Sequence, residues 1–309
     1  MQKILLTSTS FQDTPGAHHK LLENQGFDLV KLRGPLKEEE ILNVIDQFDG
    51  IICGDDEITR KVIQKGATKL RVISKYGIGL DKIDLDAAKE FKIPVTNCPG
   101  INQVTVAEHV FALLLTFVKN IIPENDYVQN QQWVRLIGSE LNGKTLGVLG
   151  TGNVGKEVIK RALAFGMSVL AFDKYPSRDF ASQYNITYAA TAEELIQKSD
   201  IISLNLTLDK TTKHIIGEKT LEIMKEGVII VNTARAGLVN QDIILKGIES
   251  GKIKGYLTDV LDDEPIVKDH PFLTNKNIII TPHIGSRTYE NVVNQGTMSV
   301  ENLLKYFQR

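Results

Sequence analysis

Short apolar runs alternate with longer amphipathic stretches along most of the chain, and this alternation predicts parallel α/β sheets. The first hundred residues predict five strands, over residues 3–8, 27–32, 50–54, 71–76 and 94–97. Helices are expected between them, including one over residues 36–48, where apolar side chains recur at mostly helical spacing. A longer helix is predicted over residues 104–120.

A second series of strands and helices begins at residue 145. It predicts strands over residues 145–149, 168–173, 200–206, 228–232, 255–260 and 277–281. It predicts helices over residues 153–165, 192–198, 219–225 and 241–250. Six strands with intervening helices make one complete doubly wound sheet. The last stretch, residues 286–309, is helical in pattern and too short for a domain, so it is expected to pack on one of the two units.

Composition and charge narrow the class of protein. At roughly 150 residues per domain, 309 residues predict two domains. The 36 basic and 38 acidic residues give a net charge of −2, which provides no global field for nucleic acid or an anionic membrane. Cys53 and Cys98 match no zinc or disulfide pattern, so we expect no metal site and a reducing, cytoplasmic setting. The apolar run at 110–118 is too short to span a bilayer and is interpreted as a buried helix.

A glycine-rich turn follows the apolar strand at 146–149 and opens a helix. Gly150 allows the tight turn, Gly152 lets the backbone approach a pyrophosphate, and Gly155 allows close packing of helix and strand. Asn153 and Val154 complete the turn at the helix N-terminus, where free N–H groups favour an anion. A glycine turn that binds nothing is the weaker alternative, because the strand and helix context is complete.

The next predicted strand ends at Asp173, eighteen residues beyond Gly155. An acidic side chain at this place accepts hydrogen bonds from ribose hydroxyls and repels a 2′-phosphate. The sequence therefore predicts NAD as the cofactor in preference to NADP, although Lys174 softens that preference.

Three polar residues, Arg235, Glu264 and His283, follow strands of the second sheet at the edge where such folds bind ligands. A guanidinium can grip a carboxylate, and an imidazole can give a proton to a developing alkoxide. A carboxylate can orient that imidazole. Taken singly, Arg235 could be a surface ion-pair partner and Glu264 a solvated acid. Among the remaining histidines, His109 lies in an apolar helix and is interpreted as a packing or interface residue.

Together these motifs resemble the D-2-hydroxyacid dehydrogenase family, and within it the D-3-phosphoglycerate dehydrogenases most. The resemblance runs from about residue 45 to 305 and rests on segments 76–84, 141–147, 150–155 with Asp173, 232–237, 259–260 with 264–265, and 281–285. It implies an α/β protein with two doubly wound parallel-sheet domains. A Rossmann-like NAD-binding domain, residues 101–285, is inserted into a flavodoxin-like substrate domain, residues 1–100 plus 286–309.

The resemblance also implies an activity and a set of roles. A hydride would pass between the nicotinamide and C2 of a small 2-hydroxy or 2-oxo acid, in a cleft that closes on substrate. Arg235, Glu264 and His283 match the family's catalytic positions, and Asp259 matches the position that holds the nicotinamide carboxamide. Further positions expected at the cofactor are Asn205, Thr233, Ala234, His283 and Gly285. The family is typically a homodimer through its cofactor domains.

Three departures from the family pattern change these expectations. The segment Asn205-Leu206-Thr207 lacks the proline often found beside the adenine, and Asn153 replaces a basic residue that often contacts the pyrophosphate. Third, we expect no regulatory domain after Arg309 and therefore no feedback control by serine.

The loop after the strand at 71–76 is the predicted substrate contact in the first domain. Backbone N–H groups of Tyr76, Gly77 and Ile78 could bind a carboxylate, and Asn102 with Gln103 could add donors. Lys75 stands where phosphoglycerate dehydrogenases usually carry arginine, so it could hold a second anion, or it could be a solvated or ion-paired lysine. These features favour a small, doubly anionic 2-hydroxy acid without naming it.

Two other functions stay open. A reductase of hydroxypyruvate, glyoxylate or another 2-oxo acid would carry the same residues. An NAD(H)-sensing binding protein of the corepressor type could also retain them. Neither a nucleic acid nor a membrane is expected as a partner.

Overall fold

The computed structural model describes residues 1–307 and divides into two compact units. One unit is Met1–Asn102 with the segment that begins at Arg287, and the other is Gln103–Ser286. Each contains one wholly parallel sheet, of five and of seven strands. The predicted α/β class with two parallel sheets is confirmed. The breaks between the units lie within two residues of the predicted boundaries, and the roles given to the two domains stay predictions.

The first unit has the strand order β2-β1-β3-β4-β5, which is the flavodoxin-like order. Its strands are β1 (Lys3–Leu6), β2 (Asp28–Lys31), β3 (Gly50–Cys53), β4 (Val72–Lys75) and β5 (Val95–Thr96). The helices between them are α1 (Thr9–Asp13), α2 (Ala17–Glu23), α3 (Glu38–Leu42), α4 (Arg60–Gly66) and α5 (Leu85–Glu90).

Both faces of this sheet are buried, which explains its near-continuous apolar strands. Leu5, Ile51 and Ile73 pack into one core cluster, whereas the neighbouring residues Ile4, Ile52 and Val72 pack into another on the opposite face. Successive side chains of a strand point to opposite faces, so a strand covered on both sides needs apolar residues throughout.

The prediction of a single helix over residues 36–48 is wrong. Helix α3 ends at Leu42, Val44 leaves the helical region at φ −133°, and a 3-10 turn follows at Ile45–Gln47. Ile41 and Ile45 are both fully buried. The helical spacing of the apolar residues therefore reflected burial on one side rather than one continuous helix.

The second unit has the strand order β12-β11-β10-β9-β6-β7-β8. Its strands are β6 (Thr145–Leu149), β7 (Ser168–Phe172), β8 (Thr187–Tyr188), β9 (Ile201–Leu204), β10 (Val228–Asn232), β11 (Ile253–Thr258) and β12 (Ile278–Ile280). Its helices are α6 (Gln103–Val118), α7 (Ile121–Gln129), α8 (Asn153–Ala164), α9 (Arg178–Tyr184), α10 (Ala192–Lys198), α11 (Glu218–Ile223) and α12 (Gln241–Glu249). The prediction of six strands missed β8, because two residues are too few to produce a pattern.

The long helix predicted over residues 104–120 is observed as α6, and the chain then bends. Asn120 takes a left-handed conformation at φ 55°, and α7 continues at an angle of 59° to α6. No single helix among residues 1–307 is long and apolar enough to cross a membrane; only the bent pair α6 and α7, taken together, meets that test on length and composition.

Helix α13 (Tyr289–Leu304) returns the chain to the first unit. Its Val300 and Leu303 are buried against the sheet, and the Ser74 hydroxyl donates a 2.7 Å hydrogen bond to the carbonyl oxygen of Ser299. The two free cysteines, Cys53 and Cys98, are also buried in this unit, and burial raises the pKa of both thiols. A high thiol pKa leaves little reactive thiolate at neutral pH.

Candidate active site

The glycine turn between β6 and α8 is shaped by its three glycines. Gly150 has φ 92°, and a Cβ atom built on it would lie 2.5 Å from the carbonyl oxygen of Asn205. A Cβ atom on Gly155 would lie 2.0 Å from the carbonyl oxygen of Gly150. On Gly152, by contrast, a Cβ atom would have no neighbour within 4 Å. Two glycines are therefore required by the fold itself, whereas Gly152 faces open space.

The start of α8 can receive an anion. Gly152 is its N-cap and provides no side-chain acceptor for the N–H groups of the first turn, which includes Asn153, Val154 and Gly155. In a helix these N–H groups have no acceptor within the helix, and they favour negative charge. The open space beside Gly152 together with these N–H groups fits the pyrophosphate of a dinucleotide.

Asp173 lies directly after β7 and is half-buried. Its Oδ2 atom accepts hydrogen bonds from the amide of Thr151 at 2.6 Å and from the Thr151 hydroxyl at 3.2 Å. Its Oδ1 atom accepts from the amide of Tyr175 at 2.8 Å. These bonds fix the carboxylate beside the glycine turn and leave lone pairs that can accept from further donors. The contact of Asp173 with a ribose stays a prediction.

Asn205 follows β9, and its backbone lies against the same glycine turn at Gly150. Its amide group donates to the carbonyl and hydroxyl oxygens of Ser203 at 3.2 and 3.1 Å. Its Oδ1 atom is buried and, among the described residues, has no hydrogen-bond partner. A buried acceptor without a donor is uncommon, and a ligand can supply the donor.

A short segment after β10 carries Thr233, Ala234 and Arg235. The amide group of Asn232 organises it: Nδ2 donates to the Arg235 carbonyl at 2.9 Å, and Oδ1 accepts from the Ala234 amide at 3.1 Å. The Arg235 guanidinium donates from Nη1 to the carbonyl oxygen of Ala234 at 2.7 Å. The half-buried guanidinium is thereby held near the carboxyl end of the strand.

His283 and Glu264 are brought together, although nineteen residues separate them. Nδ1 of His283 lies 2.8 Å from Oε2 of Glu264, and each side chain is 38% exposed. Oε1 of Glu264 accepts a 2.9 Å hydrogen bond from the amide of Leu261. Because the carboxylate accepts the Nδ1 proton, the imidazole has a fixed orientation and Nε2 is the atom that can exchange a proton with a ligand.

Asp259 directly follows β11 and is almost completely buried. Oδ1 accepts hydrogen bonds from the Thr281 hydroxyl at 2.5 Å and the Ile284 amide at 2.9 Å, and Oδ2 accepts from the Gly285 amide at 2.7 Å. Burial alone would raise the pKa of Asp259, but hydrogen bonds from His109, Thr281 and the two amides outweigh it and lower the pKa.

This lowered pKa means that ionised Asp259 stabilises the folded chain above the ordinary pKa of 3.8. The contribution is lost as the pH falls through the folded-state pKa. The carboxylate thus organises the loop of His283 at neutral pH, and its expected contact with a nicotinamide carboxamide stays a prediction.

Comparison with known proteins decides the family. The model of the D-isomer specific 2-hydroxyacid dehydrogenase NAD binding domain matches residues 111–285, more than half of the chain. The chain belongs to the D-isomer specific 2-hydroxyacid dehydrogenase family. It therefore carries that family's NAD-binding domain, and the predicted resemblance is confirmed.

Relatives in this dehydrogenase family differ in the acid they are named for. The chain is 38% identical to D-3-phosphoglycerate dehydrogenase of Methanocaldococcus jannaschii over 99% of its own length and 57% of the relative. It is 37% identical to hydroxypyruvate reductase of Thermotoga maritima, over 87% of the chain and 88% of the relative. The structure of D-lactate dehydrogenase from Aquifex aeolicus with NAD and lactic acid superposes with a TM-score of 0.87 at 29% identity, covering 99% and 96% of the two chains. The chain thus spans little more than half of the first of these relatives.

Sequence reasoning missed two residues of helix α6 that contact the site. Nε2 of His109 lies 2.9 Å from the Thr281 hydroxyl and 3.4 Å from Oδ1 of Asp259. The Thr105 hydroxyl donates to the carbonyl oxygen of Gly285 at 3.3 Å. The sequence interpretation of His109 as a packing or interface residue did not include this polar contact with Thr281. The available signal was a histidine and a threonine four residues apart, on one face of an apolar helix.

The predicted substrate loop lies in the other unit, after β4. Among the hydrogen bonds of residues 1–307, none uses the amide N–H of Gly77 or Ile78, and Gly77 has φ 123°. Such consecutive N–H groups can bind a carboxylate. Tyr76 is half-buried and its amide donates to Cys53. Asn102 and Gln103 each bury a side-chain oxygen that has no partner within the described chain.

Lys75 is not displayed as an exposed cation. Its side chain is 5% exposed, and Nζ donates to the carbonyl oxygen of Gly54 at 2.6 Å and to Asp55 at 2.7 Å. Of the two interpretations left open by the sequence, these contacts favour the ion-paired lysine. Within residues 1–307, no three His, Cys, Asp or Glu side chains are grouped to hold a metal ion.

Proposed function

We propose that this protein is an NAD-dependent oxidoreductase that interconverts a small 2-hydroxy acid and its 2-oxo acid. The observation that carries the proposal is the 2.8 Å contact between His283 and Glu264, in the same unit as a glycine turn that fits a dinucleotide. A nicotinamide cofactor bound at the glycine turn would supply or accept the hydride at C2 of the acid.

The chain's own residues supply the remaining chemistry. Glu264 holds the His283 ring so that Nε2 gives a proton to the oxygen formed on C2, or removes it in the reverse direction. The guanidinium of Arg235 binds the substrate carboxylate and polarises the neighbouring carbonyl group. Gly152 and the first turn of α8 hold the pyrophosphate, and Asp173 holds the ribose.

The direct test is NADH consumption by purified protein with a panel of 2-oxo acids. The panel contains 3-phosphohydroxypyruvate, hydroxypyruvate, glyoxylate, pyruvate and sulfopyruvate, with NADPH as the cofactor control. Turnover of any of them supports the dehydrogenase. Binding of NADH without turnover of any acid would contradict it and favour an NAD(H)-sensing binding protein. The ranking of the acids distinguishes a phosphoglycerate dehydrogenase from a hydroxypyruvate or glyoxylate reductase.

Lys75 gives a prediction about the substrate. We expect Lys75→Met to lower the free energy of unfolding by about 1–2 kcal/mol, because the Gly54 carbonyl loses a buried donor. The ratio of KM values for 3-phosphohydroxypyruvate and hydroxypyruvate should change less than twofold. Urea unfolding and steady-state kinetics measure both, with exposed Lys82→Met as the control. A selective rise in KM for the phosphorylated acid would restore Lys75 as an anion anchor.

Asp173 gives a prediction about the cofactor. We expect Asp173→Asn to reduce the preference for NADH over NADPH by about tenfold, or roughly 1.4 kcal/mol. The asparagine keeps the acceptor for the Thr151 amide, loses the acceptor for the Tyr175 amide, and removes the charge that repels a 2′-phosphate. The kcat/KM values for both cofactors measure the preference, and Asp179→Asn on the exposed face of α9 is the control. An unchanged preference would place Asp173 away from the ribose.

A homodimer is the proposed assembly. The segment 121–137 exposes several large apolar side chains: Ile121, Ile122, Val128, Trp133 and Ile137 are 53%, 47%, 54%, 77% and 97% exposed. Several large apolar side chains exposed within one short segment are typical of an interface, and a second copy is the occupant we propose. The two free thiols agree with a reducing compartment, and we propose the cytoplasm.

The assembly is tested by the mass in solution. Light scattering should give twice the chain mass of 34.4 kDa for the wild type. Trp133→Glu with Ile137→Glu should shift the mass toward one chain, because burying two carboxylates in an apolar interface is unfavourable. Tyr289→Glu, an exposed aromatic outside this segment, is the control. A monomeric wild type would overturn the proposal.

A further inference from the structure

The loop that carries His283 makes hydrogen bonds with Asp259 and with helix α6. We propose that His109 is a positioning residue that, together with Thr105, fixes residues 281–285 and thereby the imidazole of His283. We call Thr105 and His109 the α6 clamp. The inference rests on the proposed function for its effect on turnover, but the clamp itself is a property of the chain without ligands.

The direction of the hydrogen bonds follows from what each group can donate. The Thr281 hydroxyl has one proton, and it is donated to Asp259 at 2.5 Å because an ionised carboxylate only accepts. The Thr281 oxygen must therefore accept from Nε2–H of His109, 2.9 Å away. A continuous chain of donors runs from His109 through Thr281 to Asp259.

The other end of the loop is fixed by the same two elements. The Gly285 amide donates to Asp259, and its carbonyl oxygen accepts from Thr105. A Cβ atom on Gly285 would lie 2.9 Å from the Asp259 carboxylate and 3.5 Å from Cδ2 of His109. The short Cβ distances place His109 against Gly285, and the hydrogen bond from Thr105 places the second residue of the clamp at the same glycine.

The loop needs such anchoring because of the conformation of His283. Its φ is 54°, in the left-handed region, which disfavours residues with a side chain. The ring is also 38% exposed, and its polar contact is with Glu264, which holds the ring but not the backbone of the loop. Backbone conformations of this kind persist when the surrounding contacts over-determine them. Here those contacts are Asp259 on one side and the α6 clamp on the other.

The variant that tests the clamp is His109→Phe, which keeps a ring of similar size and removes the donor. We expect kcat for the best 2-oxo acid to fall about 10- to 100-fold, while the Kd for NADH changes less than threefold. His109→Gln, which can still donate from its amide, should recover most of the loss. Glu108→Gln is the matched control, because Glu108 lies next to His109 in α6 and, among residues 1–307, forms its ion pair with Arg161 at the surface.

A second readout needs neither substrate nor cofactor. Hydrogen exchange of the wild type without ligands should show slow exchange at the Ile284 and Gly285 amides, since Asp259 accepts both. In His109→Phe these amides should exchange about tenfold faster, and in Glu108→Gln at the wild-type rate. Thr105→Val removes the second contact with little change in volume and should accelerate the same segment.

The outcomes separate this inference from the proposed function. If the wild type turns over no acid, the proposed function fails, and hydrogen exchange still decides the clamp. If the wild type is active but both clamp variants leave kcat and loop exchange unchanged, the clamp is overturned. If His109→Phe is too unstable to study, Thr105→Val decides the same point. Loss of activity that His109→Gln does not recover would also count against it.

Discussion

Replacing His283 by asparagine is expected to lower kcat by about 10²- to 10⁴-fold, the range typical of losing a general acid–base group. The proton on Nε2 then has no replacement, although Glu264 remains in place. Asparagine tolerates the left-handed conformation that His283 adopts at φ 54°, so the loop should keep its shape. Steady-state NADH oxidation measures kcat, and fluorescence titration should show a Kd for NADH within about threefold of the wild type.

The chain offers a matched control for this substitution. His214 lies in the same unit, is exposed and also has positive φ, at 53°. His214→Asn therefore reproduces the chemical and conformational change away from the site and should leave kcat unchanged. If His283→Asn kept wild-type kcat, the proton would have to come from another group and the proposed mechanism would be wrong.

The second large effect is expected at Gly152. Replacement by alanine should leave thermal stability unchanged, because the added Cβ atom has no neighbour within 4 Å and φ is −65°. We expect the Kd for NADH to rise about 10- to 100-fold, since the methyl group would occupy the space through which the backbone approaches the pyrophosphate. Calorimetric titration with NADH, combined with a melting curve, measures both quantities.

Gly155→Ala shows why Gly152 is informative. A Cβ atom at Gly155 would lie 2.0 Å from the Gly150 carbonyl oxygen, so this variant should lose about 1–3 kcal/mol of stability as well as affinity. Weaker NADH binding in Gly155→Ala would reflect a distorted turn. Weaker NADH binding in Gly152→Ala would reflect only the space that the added methyl group takes from the ligand. Wild-type NADH affinity in Gly152→Ala would show that the cofactor does not approach this turn.

The sequence by itself determined the two parallel sheets and which candidate functional residues follow which strand. The observed bounds of β6, β10 and α10 agree with the predicted ones, because each is a compact apolar or amphipathic run bounded by polar or glycine residues. Residues that directly follow buried parallel strands meet at one edge of the sheet. Arg235, Glu264, His283 and the glycine turn could be proposed on that ground. The two-residue strand β8 and the break in the chain after α3 produce no apolar pattern that can be recognised in the sequence, and both were missed.

Only the tertiary structure decided which side chains pair. Lys75 appeared able to hold an anion, but its ammonium group is buried against Gly54 and Asp55. The sequence indicated a packing or interface role for His109. In the structure its Nε2 atom lies 2.9 Å from the hydroxyl of Thr281, 172 residues later in the chain. Periodicity reports which face of an element is buried, not which polar group a distant element brings to it. Buried polar groups form hydrogen bonds with the groups that the folded chain brings next to them, so their partners are decided by tertiary packing.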